Sequence, residues 1–143
     1  MIDVTVSTTI GRPVDEVFNF VADMTNEPRW HTDIVDATQV TEGDVALGTR
    51  YRVRFRSSMG PPEGIVEVAE FDPLRRFASR SDLGNMAPTV SHDFEPVDGG
   101  THVTRRVRIE MSGAMRLTAP LMRMMVRRRN LRFIDNLKRE LEA

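Results

Sequence analysis

Two helix-patterned segments bracket this chain, one from Gly11 to Trp30 behind a single short strand and one from about Met115 to the last residue. Every periodic stretch between them has a period of two. Strands that follow one another through short turns form an antiparallel meander. The expected class is therefore α+β: a sheet of about seven strands, two short helices after the first strand, and one long C-terminal helix.

The punctuation of the chain locates these elements. From Ile2 to Ile10 apolar Ile2, Val4 and Val6 alternate with Asp3, Thr5 and Ser7, as in a half-buried strand. Gly11 ends it. Pro13 suits a first helical turn, where its missing N–H had no partner, and Asp15 and Glu16 favour the positive end of the helix dipole. Val14, Val17, Phe18 and Val21 then fall at helical spacing. Asn26 and Pro28 are expected to break that helix, with Pro28 starting a brief turn that carries Trp30. Further strands are expected at Ile34 to Thr41, Thr49 to Ser57, Gly64 to Phe71, Arg76 to Leu83, Thr89 to Glu95 and Thr101 to Met111. Glu42-Gly43-Asp44, Gly60-Pro61-Pro62, Asp72-Pro73 and Asp98-Gly99-Gly100 supply the reversals. Ser112, Gly113 and Pro120 set the first turn of the last helix apart or kink it.

Three phrases in this order, GRPVDEVFNFVADMTNEPRW from Gly11, EFDPLRRF from Glu70 and FEPVDGGTHVTRRV from Phe94, resemble the START-like or SRPBCC superfamily, which includes polyketide cyclase/dehydrase-like proteins. The likeness covers essentially the whole chain. It implies a helix-grip fold over a single domain, residues 1–143, in which the sheet wraps around the C-terminal helix and a cavity for a small apolar molecule lies between them. Members share that cavity and no catalytic motif, so the likeness speaks to fold before chemistry.

Composition narrows the function classes. A chain of 143 residues suits one domain, burying about 68–70% of its unfolded surface. The net charge of -1 argues against generic binding to nucleic acid. Charge is uneven, however: Met115 to Ala143 holds eight basic residues against three acidic ones, a local +5 on an acidic body. Without cysteine there is no disulfide, no thiolate nucleophile and no cysteine-ligated cluster, which removes the Rieske-type relatives of the fold. His31, His92 and His102 are too dispersed for a metal motif, and no GxSxG elbow, Walker loop or GxGxxG turn occurs. No metal and no cofactor are expected. No apolar run approaches the roughly 18 residues of a membrane span, so the expectation is a cytoplasmic protein without stable membrane insertion. The excess of arginine over the single Lys138 is in keeping with a GC-rich bacterial genome.

Strand parity selects the cavity candidates. In the second long strand Tyr51, Val53 and Phe55 oppose an arginine face. Phe77, Ser79 and Ser81 share one face of their strand, as do Val90, His92 and Phe94 of the next. In the last strand Arg105 falls among Val103, Val107, Ile109 and Met111. A buried arginine requires a carboxylate, carbonyls, a ligand anion or an open end of the sheet. A histidine on an apolar face is commonly a core histidine, so His92 reads either as that or as a ligand contact. On the final helix Met115, Ala119, Met122, Val126, Phe133 and Leu137 form one stripe flanked by Arg129 and Asn130. Either Arg129 and Asn130 both reach into the pocket, or Arg129 lays its stem on the stripe and reaches water. Trp30 and His31 lie where the resemblance implies one mouth of the cavity closes.

The resulting site is Trp30, Tyr51, Phe55, Ser79 and Ser81 together with His92, Arg105, Met122, Val126 and Arg129. The expected function is binding of a small hydrophobic, polyketide- or lipid-like ligand, with Arg105 and His92 holding a polar or anionic group. The alternative is a polyketide cyclase or dehydratase in which His92 moves the proton and Arg105 stabilises an enolate. Lipid pick-up at a membrane is a third class, but the apolar stripe of the basic helix is expected to be taken by the sheet. The partner is a small molecule, not a nucleic acid, and a homodimer stays open.

Overall fold

The structure, a computed structural model, describes residues 1–56, 62–84 and 86–143. The expected Gly60-Pro61 reversal and the end of its strand at Ser57 lie outside the described residues. In chain order the elements are β1 (Ile2–Ile10), α1 (Val14–Ala22), a 3-10 helix (Met24–Arg29), β2 (Ile34–Gln39), β3 (Arg50–Phe55) and β4 (Glu63–Asp72). After them come β5 (Arg76–Ser81), β6 (Met86–Val97), β7 (Gly100–Met111), a second 3-10 helix (Gly113–Thr118) and α2 (Ala119–Glu142). The seven strands form one antiparallel sheet in the order β1-β7-β6-β5-β4-β3-β2. With α2 against its concave face, this is the helix-grip arrangement expected from the sequence.

Local chemistry explains the departures from the expected boundaries. Asn26 and Pro28 are not where the first helix breaks: α1 ends at Ala22, and both residues lie within the 3-10 helix, where Asn26 Nδ2 donates to the Phe20 carbonyl at 3.1 Å. That helix begins at Asp23, whose carboxylate accepts from the Thr25 N–H at 3.1 Å, so a capped second turn follows α1 directly. β6 starts at Met86, earlier than expected, and takes in Pro88, which pairs with Ile109. At the β6–β7 reversal, a Cβ on Gly100 would sit 2.0 Å from the Ile10 carbonyl oxygen, so only glycine lets β1 and β7 close together there.

The concave face is built by alternation, corrected at one point. Val66 and Val68 of β4 are buried, and a register shift between Val68 and Glu70 then brings Phe71 to the same side. Phe71 meets Phe77 and Phe18 edge to face at centroid distances of 6.3 and 5.6 Å, and Phe18 meets Phe94 at 5.1 Å. α1 is thereby fixed over one end of the sheet.

The C-terminal end of α2 is tied to the end of β1. Arg12 Nε donates to the Leu141 carbonyl and the Gly11 N–H to Glu142 Oε2, both at 2.7 Å. Burial along α2 is confined to Asn130, Phe133, Ile134 and Leu137. The stripe expected from Met115 onward is thus interrupted: Gly113–Thr118 is a separate 3-10 turn, and Met122 and Val126 are only half-buried. Leu117 and Leu121, off that stripe, are 86% and 62% exposed, whereas Ala119, Met122 and Val126 of the stripe pack against the core. Among the described residues, no helix is long and apolar enough to cross a membrane.

Candidate functional site

The site grows from one cross-strand pair. β6 and β7 are in register so that His92 faces Arg105 directly, both on the concave side between the pairs Phe94–Val103 and Val90–Val107. Arg105 Nη1 lies 2.9 Å from His92 Nε2, and Arg105 Nε donates to Asn130 Oδ1 of α2 at 2.7 Å. Asn130 is oriented in turn by donating to the Val126 carbonyl at 2.8 Å. The guanidinium carbon lies 5.3 Å from the Trp30 ring centroid, a cation–π contact beneath the charge. Among the described residues, Nη2 has no hydrogen-bond partner and no carboxylate lies within 4 Å of the group.

These contacts dictate the state of His92. A guanidinium only donates, so Nε2 accepts and the proton of the neutral ring sits on Nδ1, which has no partner among the described residues. Burial, followed by the Arg105 charge, pushes the His92 pKa well below 6.5. The imidazole is a fixed acceptor for Arg105 at neutral pH. Burial also draws Arg105 down to about 10, which leaves it charged.

Against this charged group lies a cavity of about 220 Å³ between α2 and the sheet. Val53, Val66, Val90, Val107 and Ile109 of the strands and Val126 and Phe133 of α2 form most of its wall. Its polar end is made by Arg105 and Asn130 with Glu27 and His31 from the 3-10 helix and the loop after it. The His31 ring stacks on Phe133 at 3.9 Å between centroids. Burial, and then Arg105, push its pKa well below 6.5. Glu27 is buried, and loss of water raises its pKa to about 7 although Arg105 pulls the other way. At the rim Arg129 Nη1 meets Asp33 Oδ2 at 3.4 Å.

Of the residues expected from the sequence, Phe55, Ser79, Ser81, Arg105, Val126 and Arg129 lie on the cavity wall. Trp30 and His92 do not: they sit behind Arg105 and hold it from beneath and from the side. Tyr51 is not on the wall either; it is fully buried near Met24, Asp23 and Glu27, and burial pushes its hydroxyl up to about 12. Met122 packs half-buried against the core at the loosely seated start of α2. Strand parity assigns a face but not a depth along the sheet, which is why Tyr51 was misplaced.

Asn130, which flanks the apolar stripe in the sequence, stands at the polar end. Glu27 was missed and carries no sequence signal, because no period reaches a 3-10 turn. Among the described residues, no three His, Asp or Glu side chains converge as metal ligands do.

The buried titratable groups give stability opposing pH slopes. Glu27 is raised from 4.5 to about 7, so its contribution is present below about pH 4.5 and lost as pH rises through 7. His31 and His92 are lowered, so theirs is present above 6.5 and lost as pH falls below it. The alkaline loss attributable to Glu27 is on the order of 3 kcal/mol. Urea unfolding of Glu27→Gln should therefore match the parent protein near pH 4 and exceed it at pH 8; equal stability at pH 8 would mean that Glu27 is solvated.

An antiparallel sheet closed on a C-terminal helix, with a partly polar cavity between them, defines a helix-grip protein. The chain belongs to the family described as polyketide cyclase / dehydrase and lipid transport, whose model matches residues 1–142. Solved structures share the fold. TTHA0849 from Thermus thermophilus is 17% identical with a TM-score of 0.79, over 97% of this chain and 96% of that one. A START superfamily protein from Mycobacterium smegmatis is 12% identical with a TM-score of 0.79, over 98% and 97%. The di-domain ARO/CYC BexL from the BE-7585A biosynthetic pathway is 20% identical with a TM-score of 0.78, over 97% of this chain and 46% of that one. No curated protein sequence matches the chain.

Proposed function

We propose that this chain is a single ligand-binding domain that holds a small, largely apolar molecule between its sheet and α2, with Arg105 as the polar anchor. One observation carries the reading: a buried guanidinium faces a cavity whose wall is largely apolar, with Nη2 open among the described residues, while its Nε and Nη1 each meet one uncharged side chain. A buried cation without a contacting carboxylate is unfavourable in the empty protein, and a ligand anion or strong acceptor relieves that penalty. The apolar walls supply the rest of the affinity through the area they remove from water.

In this reading His92 and Asn130 are positioning residues that act through Arg105. His92→Gln keeps an acceptor near the guanidinium and should hold ligand affinity within a few-fold, whereas His92→Leu removes it and should lower affinity roughly ten-fold or more. Calorimetric titration with a naphthalene carboxylate, beside thermal unfolding of each variant, reads both effects. Equal affinity in the glutamine and leucine variants would remove His92 from the anchor.

A cyclase or dehydratase reading draws on the family description and on the likeness to an ARO/CYC protein. Arg105 would then stabilise a developing enolate. His92 is poorly suited to move the proton, since its Nε2 faces a guanidinium and its pKa lies well below neutrality. Turnover of a poly-ketone that collapses by 10²–10⁴-fold in His92→Gln would reverse the order of these readings.

A further inference from the structure

Arg105 and Glu27 are opposite charges walled into the same end of one cavity, yet no ion pair joins them within 4 Å. Each is buried, and Arg105 keeps its Nη2 open among the described residues. A direct ion pair would have satisfied both groups; without one, the wall of this pocket carries a buried guanidinium and a buried carboxyl group that act on each other only through space. We infer that this end of the cavity takes the single carboxylate head of an apolar acid, seated on Arg105 and hydrogen-bonded by a protonated Glu27, so that binding draws one proton into the protein. This rests on the ligand-binding reading above and adds the class of ligand and its proton balance.

The chemistry follows from like charges in a dry site. A ligand carboxylate that reaches Arg105 stands beside the Glu27 carboxylate, and two such groups in one low-dielectric space share a proton instead of both ionising. Free Glu27 lies at about 7, so above that pH it is mostly ionised and must gain the proton as the ligand enters. The balance is one carboxylate plus one proton bound, with no covalent change. The protonated Glu27 hydroxyl donates to the ligand oxygen that Arg105 leaves free.

No neighbour competes for this role. From β6 and from the loop after the 3-10 helix, His92 and His31 are both held neutral with pKa values well below 6.5. From β3 the Tyr51 hydroxyl lies at about 12. From α2 Arg129 is paired with Asp33 at the rim, and Asn130 does not titrate. Asp23, near Tyr51, is occupied in capping the 3-10 helix. A cavity of about 220 Å³ has room for a fused-ring or medium-chain acid.

The test uses the full chain and a matched pair of probes, 2-naphthoate and its neutral amide 2-naphthamide. Calorimetry at pH 8 in phosphate and in Tris, whose ionisation enthalpies differ, counts protons taken up. The expected result is close to one proton for the naphthoate and none for the amide, with naphthoate Kd rising up to about ten-fold per pH unit between pH 7 and 8.5. Glu27→Gln should abolish both the uptake and the slope and bind naphthoate about ten-fold more tightly at pH 8. Naphthoate binding without proton uptake, or an unchanged slope in Glu27→Gln, overturns the inference while sparing the cavity. If neither probe binds the folded protein at millimolar concentration, the ligand-binding reading falls and this inference with it.

Discussion

Replacing Arg105 with methionine is expected to weaken binding of 2-naphthoate by roughly 30- to 1,000-fold while leaving the protein folded. Methionine keeps much of the side chain's length and can lie over the Trp30 ring as the guanidinium does. It deletes the charge that would meet the ligand and leaves the His92 Nε2 and Asn130 Oδ1 acceptors without their donor. Two stability effects oppose each other. Removing a buried cation with no contacting carboxylate is favourable, and stranding two buried acceptors is unfavourable by about 1–3 kcal/mol each. A urea midpoint close to the parent's, together with lost affinity, is the expected pattern. Glu27 adds a control: without Arg105 pulling it down, its pKa should rise above about 7, visible as a shifted alkaline limb in the stability profile. Affinity within three-fold of the parent would discard the anchor, and loss of folding would mark Arg105 as structural.

Trp30→Ala should cost about 3–5 kcal/mol of stability, the largest single-residue effect expected here. The ring is fully buried, meets His92 and His31 edge to face at 6.0 Å each, and lies under the Arg105 guanidinium. Its removal opens a void next to a cavity that already exists, so the surroundings have little to collapse onto. Asn136 Nδ2 also reaches the Trp30 carbonyl at 3.2 Å, so the backbone there links the 3-10 turn to α2. Trp30→Phe should recover most of the loss, because the aromatic body matters more than an indole N–H that finds no acceptor among the described residues. Chemical denaturation gives both values. A loss below about 1 kcal/mol for the alanine variant would mean that the floor of the site repacks freely.

How far the site could be read before folding depended on the kind of element carrying each residue. Arg105 and His92 sit in strands, where a period of two states which face a side chain takes, and both lie on the concave face that parity assigns. Tyr51 obeys the same parity and is still off the cavity, because parity contains no coordinate along the strand. The bulge between Val68 and Glu70 is harder still: an extra residue shifts the phase, and Phe71 is inward only because of it.

The order of strands and helices, the antiparallel pairing and the anomalous arginine follow from local patterns, since turn residues and hydrophobic period act over a few neighbours. Which groups surround that arginine is settled by contacts between elements far apart in the chain. Glu27 comes from a 3-10 turn, His92 from the neighbouring strand and Asn130 from the last helix, and no local pattern records that they meet. Their protonation behaviour is a property of that meeting. An isolated glutamate titrates near 4.5 and an isolated histidine near 6.5; withdrawal from water raises the first to about 7 and drives the second well below its usual range.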